Sequence, residues 1–367
     1  MAKKDIKSSS ASANQIKSLL ESSQEHYNFV EDFTYKVSTG SLILDIQTGG
    51  GLNPGVHRFC GVSEGGKTSE ALEVARNFQI QVPNSKVIYV KAEGRLSKEV
   101  LERSGLDFSE GKWFSLESNI YEFVFDFIKT LIKENEDENR YLFIIDSMDS
   151  LITRGDLEKG LSDATKVAGG AVIGGVFLKK VANAMSKYGH MCIMISQVRE
   201  TIKLDPYTKT AFKNTTASGG NALLHYANFI FEFEGRYQKD LILENADQKY
   251  DRMKNKIIGH EAKIIIKKSP NEKTNTIVSY PIRYGRKNGT SIWKEREIRD
   301  LLFENGQFIK AGAWVTVDPS IIKQLKESGI ECPEKFQGRD SILEYMEKTP
   351  EFVKYWYERL KTALSST

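Results

Sequence analysis

Residues Gly61–Thr68 read GVSEGGKT, a match to the pattern GxxxxGK[ST]. The chemistry such a run supports is the holding of a polyphosphate. Gly61, Gly65 and Gly66 let the chain turn tightly enough that the backbone N–H groups of Val62, Ser63 and Glu64 can curl around phosphate oxygens. Lys67 adds a point charge at the β- and γ-phosphates, and the Thr68 hydroxyl, followed by Ser69, is placed to bind Mg2+. A site of this kind also needs a carboxylate at the end of an apolar strand to hold the metal, and Asp146 in LFIIDS has that position. Alone, an Asp that ends a strand is commonly a turn or cap residue; beside the Gly-rich run it becomes a metal candidate. Hydrolysis requires in addition a group that orients or deprotonates water. Glu93 follows KVIYVKA and can serve if the strands run parallel, since their carboxyl ends then share one crevice; a Glu in that place is equally a surface residue. Gln197 ends HMCIMISQ on the same edge, and its amide can donate to a phosphate while accepting from a neighbour.

The elements that must position these groups are legible as an alternation. Val56–Gly61, Lys86–Lys91, Tyr141–Asp146 and His190–Gln197 read as apolar strands, and Thr68–Gln79, Lys98–Arg103, Asn119–Lys133 and Ala171–Lys187 as helices. Strands apolar on both faces and separated by helices predict an α/β fold with a mostly parallel sheet covered on both sides. Asn228–Glu234, Ala262–Lys267 and Thr276–Tyr284 read as further strands, and the polar stretch between Arg236 and His260, which has no period, as an inserted loop. From about residue 290 the pattern turns helical.

After Gln197 comes a long loop, Val198–Gly219, with Arg199, Lys203, Tyr207, Lys209, Phe212, Lys213 and Asn214. Cations among aromatics and small polar residues suit a single-stranded nucleic acid, the cations meeting phosphates and the rings stacking on bases. Composition alone fits a plain surface loop as well. The 367 residues carry 52 Lys+Arg against 49 Asp+Glu, a net charge of +3, so any polyanion contact must be concentrated rather than spread over the surface. The five histidines show no metal-ligand spacing. Cys60, Cys192 and Cys332 are odd in number and far apart, which predicts neither a disulfide framework nor a zinc site and points to a reducing, cytoplasmic compartment. No signal peptide and no membrane span are expected.

Several segments together resemble the RecA family of recombinases, including phage recombinases of the UvsX kind. STGSLILDIQTGGGLNPG (38–55) is similar to the family's entry to its ATPase core, GVSEGGKTS to its Walker A, KAEG to its catalytic-Glu segment, IIDSMDSL to its Walker B and ISQVR to its sensor strand. SGGNALLHYA resembles the stretch after the second DNA loop, and IKAGAW the junction to the C-terminal domain. The resemblance implies a RecA-like P-loop core binding ATP and Mg2+. In it Glu93 activates water, Gln197 senses the γ-phosphate, and Lys67, Thr68 and Asp146 hold Mg-ATP with Ser147 assisting. Lys268 and Lys273 would reach the phosphates of a neighbouring protomer. It also implies a first DNA loop with Arg154, Lys159, Lys166, Gly169 and Gly170, and a second from Arg199 to about Thr216, closed by Ser218, Gly219, Gly220 and Asn221. Where bacterial members have an Asp and a Tyr at the adenine, this chain has Ser97 and Val100, and Lys91 replaces an acidic residue two before the catalytic Glu.

The expected organisation is a tail over 1–13, an N-terminal helical oligomerisation segment over 14–34, the ATPase core over 35–290 and a small C-terminal α(+β) domain over 291–367. The expected function is ATP-dependent pairing and strand exchange by a helical homo-oligomer on single-stranded DNA with a homologous duplex, aided by loading and single-strand-binding proteins. A ring helicase of the same fold, or a nucleotide-regulated mediator without hydrolysis, are the rival readings.

Overall fold

The computed structural model describes residue 18 and residues 34–93, 96–136, 138–158, 169–199, 216–217, 220–245 and 248–365. The expected tail and nearly all of the 14–34 segment lie outside the described residues. A short helix, α1 (Leu42–Gln47), precedes β1 (Gly55–Gly61). Then follow α2 (Lys67–Gln81), β2 (Ser85–Lys91), α3 (Lys98–Ser104), β3 (Trp113–Leu116), α4 (Tyr121–Lys133), β4 (Arg140–Asp146), α5 (Arg154–Glu158), α6 (Gly169–Lys187), β5 (Met191–Arg199), β6 (Thr216–Ala217), α7 (Gly220–Tyr226) and β7 (Phe229–Phe233). The sheet is completed by β8 (Leu241–Leu243), β9 (Ile257–Lys268) and β10 (Thr276–Arg283). Beyond it lie α8 (Lys294–Glu304), β11 (Phe308–Ala311), β12 (Trp314–Val317), α9 (Pro319–Glu327), β13 (Lys335–Gln337), α10 (Asp340–Lys348) and α11 (Pro350–Ser365).

The main sheet has the order β10-β9-β7-β1-β5-β4-β2-β3. It is parallel from β7 to β3 and antiparallel where β9 joins β7 and β10. Its parallel part is apolar on both faces because helices cover both. Successive side chains of a strand point to opposite faces, so Leu142 and Ile144 of β4 and Ile193 and Ile195 of β5 pack with Ala71, Leu72, Ala75 and Phe78 of α2. Phe143, Ile145, Cys192 and Met194 go the other way, onto Val124, Phe125 and Ile128 of α4 and Phe177, Val181 and Met185 of α6. Among the described residues the fold is α/β with a mostly parallel central sheet, as the alternation predicts.

Strands β11 to β13 form a separate antiparallel sheet. With α8 to α11 they enclose a core that includes Phe308, Phe336, Phe352 and Trp356 and is joined by Leu42 and Ile46 of α1. The joint is polar as well as apolar. Glu297 of α8 accepts hydrogen bonds from the Ser41 hydroxyl at 2.5 Å and from the N–H groups of Leu42 and Ile43 at 3.1 and 3.4 Å, meeting donors that the first turn of α1 leaves open. Burial pushes the Glu297 carboxyl up from the ordinary 4.5 to about 7, against the pull of those donors. With the folded value the higher one, the unfolded chain releases this proton first as pH rises. This group's contribution therefore falls between about pH 4.5 and 7, by about 3 kcal/mol. Glu297→Ala, which orphans three donors, should cost about 2–4 kcal/mol near pH 5 and progressively less toward pH 8, as read from denaturant midpoints at the two pH values.

The stretch between Arg236 and His260 departs from the expected unstructured loop. A 3-10 turn at Gln238–Asp240 leads into β8, which pairs with a β9 that starts at Ile257, five residues before the predicted strand. The polar face of β9 hides its period, since most of its residues are only half-buried. Asn255 organises the turn between the strands: its Nδ2 donates to the carbonyls of Asn245, Gln248 and Lys249 at 3.0, 3.0 and 3.1 Å, and its Oδ1 accepts from Asn245 N–H at 2.8 Å.

Candidate active site

Parallel register delivers the chemical groups to one edge of the sheet. Gly61 lies beside Gln197 across β1 and β5, Lys91 beside Asp146 across β2 and β4, and β4 pairs with β5. The Gly-rich run leaves β1 at Gly61, whose φ is 144° and where an added Cβ would sit 2.2 Å from the Phe233 carbonyl oxygen. Only glycine allows that passage. The run ends at Gly66, which caps the N-terminus of α2 with φ 101°. Val62, Ser63 and Glu64 are exposed, Gly65 is half-buried, and Ser69 is exposed on the first turn of α2. Open N–H groups at a helix N-terminus beside a turn of this kind form an anion site.

Inside the loop, Lys67 Nζ donates to the carbonyls of Gly61 and Val62 at 3.1 and 2.6 Å. Thr68 Oγ1 donates to Asp146 Oδ2 at 2.7 Å, and the Tyr89 hydroxyl donates to the same oxygen at 2.7 Å. The Asp146–Ser147 peptide is cis. Ser147 Oγ donates to Glu93 Oε1 at 2.5 Å, while the N–H groups of Ala92 and Glu93 both donate to the Asp146 carbonyl. Asp149, in the 3-10 turn that follows, accepts from the Gln197 N–H at 2.6 Å. One turn, residues 146–150, thus touches Thr68, Glu93 and the end of β5.

Burial raises the Asp146 carboxyl above its ordinary range, and the nearby Glu93 adds to this. Donation from Thr68 and Tyr89 and the charge of Lys67 work in the opposite direction. Burial lowers the Lys67 ammonium, with Asp146 the largest opposing influence. Both are groups that a charged ligand would relieve. A hydroxyl and a carboxylate oxygen 2.7 Å apart are hard donors of the kind Mg2+ prefers, so Thr68 and Asp146 fit that ion, which when bound would neutralise phosphate charge.

A family model described as the RecA N-terminal domain matches residues 18–278, more than half of the chain. The chain belongs to the RecA family. It is 26% identical to Protein RecA of Nostoc sp. over 329 residues, covering 89% of this chain and 80% of the relative. Protein RecA of Cytophaga hutchinsonii is 28% identical over 295 residues, 80% and 75% of the two chains, and that of Azospirillum lipoferum 27% over 329 residues, 89% and 79%.

Other residues singled out in this RecA-family chain fall in several places. Arg154 is exposed at the start of α5, where its N–H donates to the Glu122 carboxylate. Gly169 and Gly170 open α6; an added Cβ at Gly170 would stand 2.6 Å from the Tyr121 ring. The end of β5 pairs with β6, Arg199 opposite Thr216, which brings the two ends of the second loop together, and Gly220 and Asn221 begin α7. Lys159, Lys166, Lys203, Tyr207, Lys209, Phe212, Lys213, Asn214, Ser218 and Gly219 lie outside the described residues. Lys268 Nζ donates to the carbonyls of Leu224 and His225 at 2.8 and 2.7 Å, closing the last turn of α7, and Lys273 is half-buried in the connection from β9 to β10. The divergent Lys91 pairs with Glu117 at 3.1 Å.

Sequence reasoning missed Tyr89 and Asp149. The first carried a signal, a hydroxyl-bearing ring amid apolar residues in KVIYVK, since a buried Tyr usually finds a polar partner. Asp149 carried none, because its partner is a backbone N–H on another strand.

Proposed function

We propose that this chain is an ATP-dependent recombinase, which assembles as a helical filament on single-stranded DNA and pairs it with a homologous duplex. The observation that carries the reading is the shared turn at 146–150. The metal candidate Asp146, the water-activating candidate Glu93 and the strand that leads into the second DNA loop are all hydrogen-bonded to it. In this reading the Lys67 ammonium and the open N–H groups of the loop hold the phosphates, while Thr68 and Asp146 hold Mg2+. Glu93, anchored by Ser147, takes a proton from water. The Gln197 side chain, exposed at the phosphate edge, contacts the γ-phosphate. Because its backbone is tied to Asp149 and its strand runs on to Arg199, occupancy of that contact biases the loop over 200–215, whose cations and rings take the strand.

The organisation follows the same reading: 14–34 docks on a neighbouring copy, 35–290 is the ATPase core, and 291–367 is the appended domain. Lys268 and Lys273 reach the neighbour's nucleotide, for which Lys268 would exchange its two carbonyl partners on α7. A head-to-tail contact of this type does not close and yields an open helix. Among the described residues no helix is long and apolar enough to cross a membrane, and the reading places the protein on DNA in the cytoplasm with loading and single-strand-binding proteins as partners. The test is ATP turnover with and without single-stranded DNA, with micrographs taken in a slowly cleaved analogue. Strong stimulation and open filaments are expected. Closed rings with unwinding activity would favour a motor, and nucleotide binding without turnover a mediator.

A further inference from the structure

A cavity of about 300 Å3 opens beside the phosphate loop at Gly66 and Ser69 and runs between α2, α3 and the β9–β10 hairpin. Its apolar walls include Val100 and Ile282. At Glu70 and Tyr280 it meets two polar side chains, each 3% exposed, in otherwise apolar packing. The Tyr280 hydroxyl donates to Glu70 Oε2 at 2.8 Å, while Glu70 Oε1 is buried and has no hydrogen-bond partner among the described residues. Neither group serves in the phosphate chemistry. A buried carboxyl oxygen left unpaired is costly, and this one stands in a cavity large enough for a small ligand. A phosphate chain lying on the loop would leave its nucleoside at the cavity mouth, so the ring would enter between the apolar walls and its edge would face Glu70.

We propose that Glu70, oriented by Tyr280, selects the nucleobase of the bound triphosphate, favouring a 6-aminopurine over a 6-oxopurine. The inference rests on the nucleotide reading of the loop. A carboxyl oxygen accepts a hydrogen bond whatever its protonation state. The exocyclic amine of a 6-aminopurine supplies the missing donor, whereas a 6-oxopurine in the same pose sets an acceptor against an acceptor. Tyr280 holds Oε2 and so keeps Oε1 toward the ligand. This supplies a base contact in a chain that carries Ser97 and Val100 where an Asp and a Tyr were expected.

The experiment compares binding of ATP, ITP and inorganic tripolyphosphate, each with Mg2+, to the full chain and to Glu70→Leu, a change that removes the acceptor at similar volume. The wild-type protein should prefer ATP over ITP by about tenfold or more. The variant should bind the two within about threefold of each other, with tripolyphosphate binding unchanged. Glu70→Met provides a second replacement if the first does not fold, and Tyr280→Phe should lower the preference by releasing Oε2. An ATP preference that survives in the Leu or Met variant, or that is missing from the wild type, overturns the assignment of Glu70 while leaving the phosphate site standing. Failure of tripolyphosphate to bind the wild-type protein overturns the nucleotide reading itself.

Discussion

Replacing Lys67 with Ala should leave the fold intact and abolish nucleotide-dependent binding to single-stranded DNA. The ammonium is held inside the Gly-rich turn by the carbonyls of Gly61 and Val62, facing the space that phosphate oxygens would occupy. Two charge-assisted hydrogen bonds to phosphate, at about 1.5–3 kcal/mol each, correspond to a loss of about two to four decades in affinity for the triphosphate. The folded protein should tolerate the change. Lys67 is 8% exposed, and burial disfavours its charge, so the protein without nucleotide loses an expensive group rather than a supporting contact. Thermal unfolding without nucleotide should therefore be unchanged or shifted slightly upward, while fluorescence titration with a labelled triphosphate detects no binding at concentrations that saturate the wild type. Lys67→Arg should not rescue. A planar guanidinium is wider than an ammonium and does not fit between two carbonyls of one tight turn. Normal triphosphate affinity in the Ala variant would remove the phosphate reading of the loop.

The parts of this site that could be read from the sequence are those fixed by short-range pattern. GVSEGGKT announces its own conformation, because Gly61 and Gly66 adopt positive φ and the helix after them begins at Lys67. Strands β1, β4 and β5 are legible because helices cover both their faces, which makes them continuous apolar runs. Strand β3, with WFSL half-exposed at the sheet edge, has no such run, and the three short strands of the C-terminal sheet are equally faint. The 236–260 stretch was read as a loop because β8 and the start of β9 bury only alternate or scattered residues, and the turn between them is held by one side chain, Asn255, whose partners are all backbone. What the pattern could not give is register. That Asp146 stands opposite Lys91, that Tyr89 reaches the Asp146 carboxylate, and that Glu70 meets Tyr280 from 210 positions away all depend on which strands lie side by side. A sequence places residues on faces; the strand order decides which faces meet.

That same strand order separates the roles of the two carboxylates, and Glu93→Gln is the substitution that shows it. ATP hydrolysis in the presence of single-stranded DNA should fall by about 10²–10⁴-fold, with triphosphate affinity close to that of the wild type. Asp146 is poorly suited to act as the base: one of its oxygens already accepts from both Thr68 and Tyr89, and its position beside the Thr68 hydroxyl suits a metal ligand. Glu93 is half-buried at the end of β2, with Oε1 anchored by Ser147, which fixes its direction. Glutamine keeps an oxygen for the Ser147 hydroxyl and the same shape, yet it cannot take a proton. Binding and assembly should therefore persist while the chemical step stalls, and complexes on single-stranded DNA should outlive those of the wild type after dilution. Single-turnover phosphate release and the lifetime of the DNA complex read the two quantities separately. Slow release with a long-lived complex assigns the proton transfer to Glu93. Release at the wild-type rate would place the base elsewhere and leave Ser147 and Glu93 as a purely structural link between β2 and the turn at 146–150.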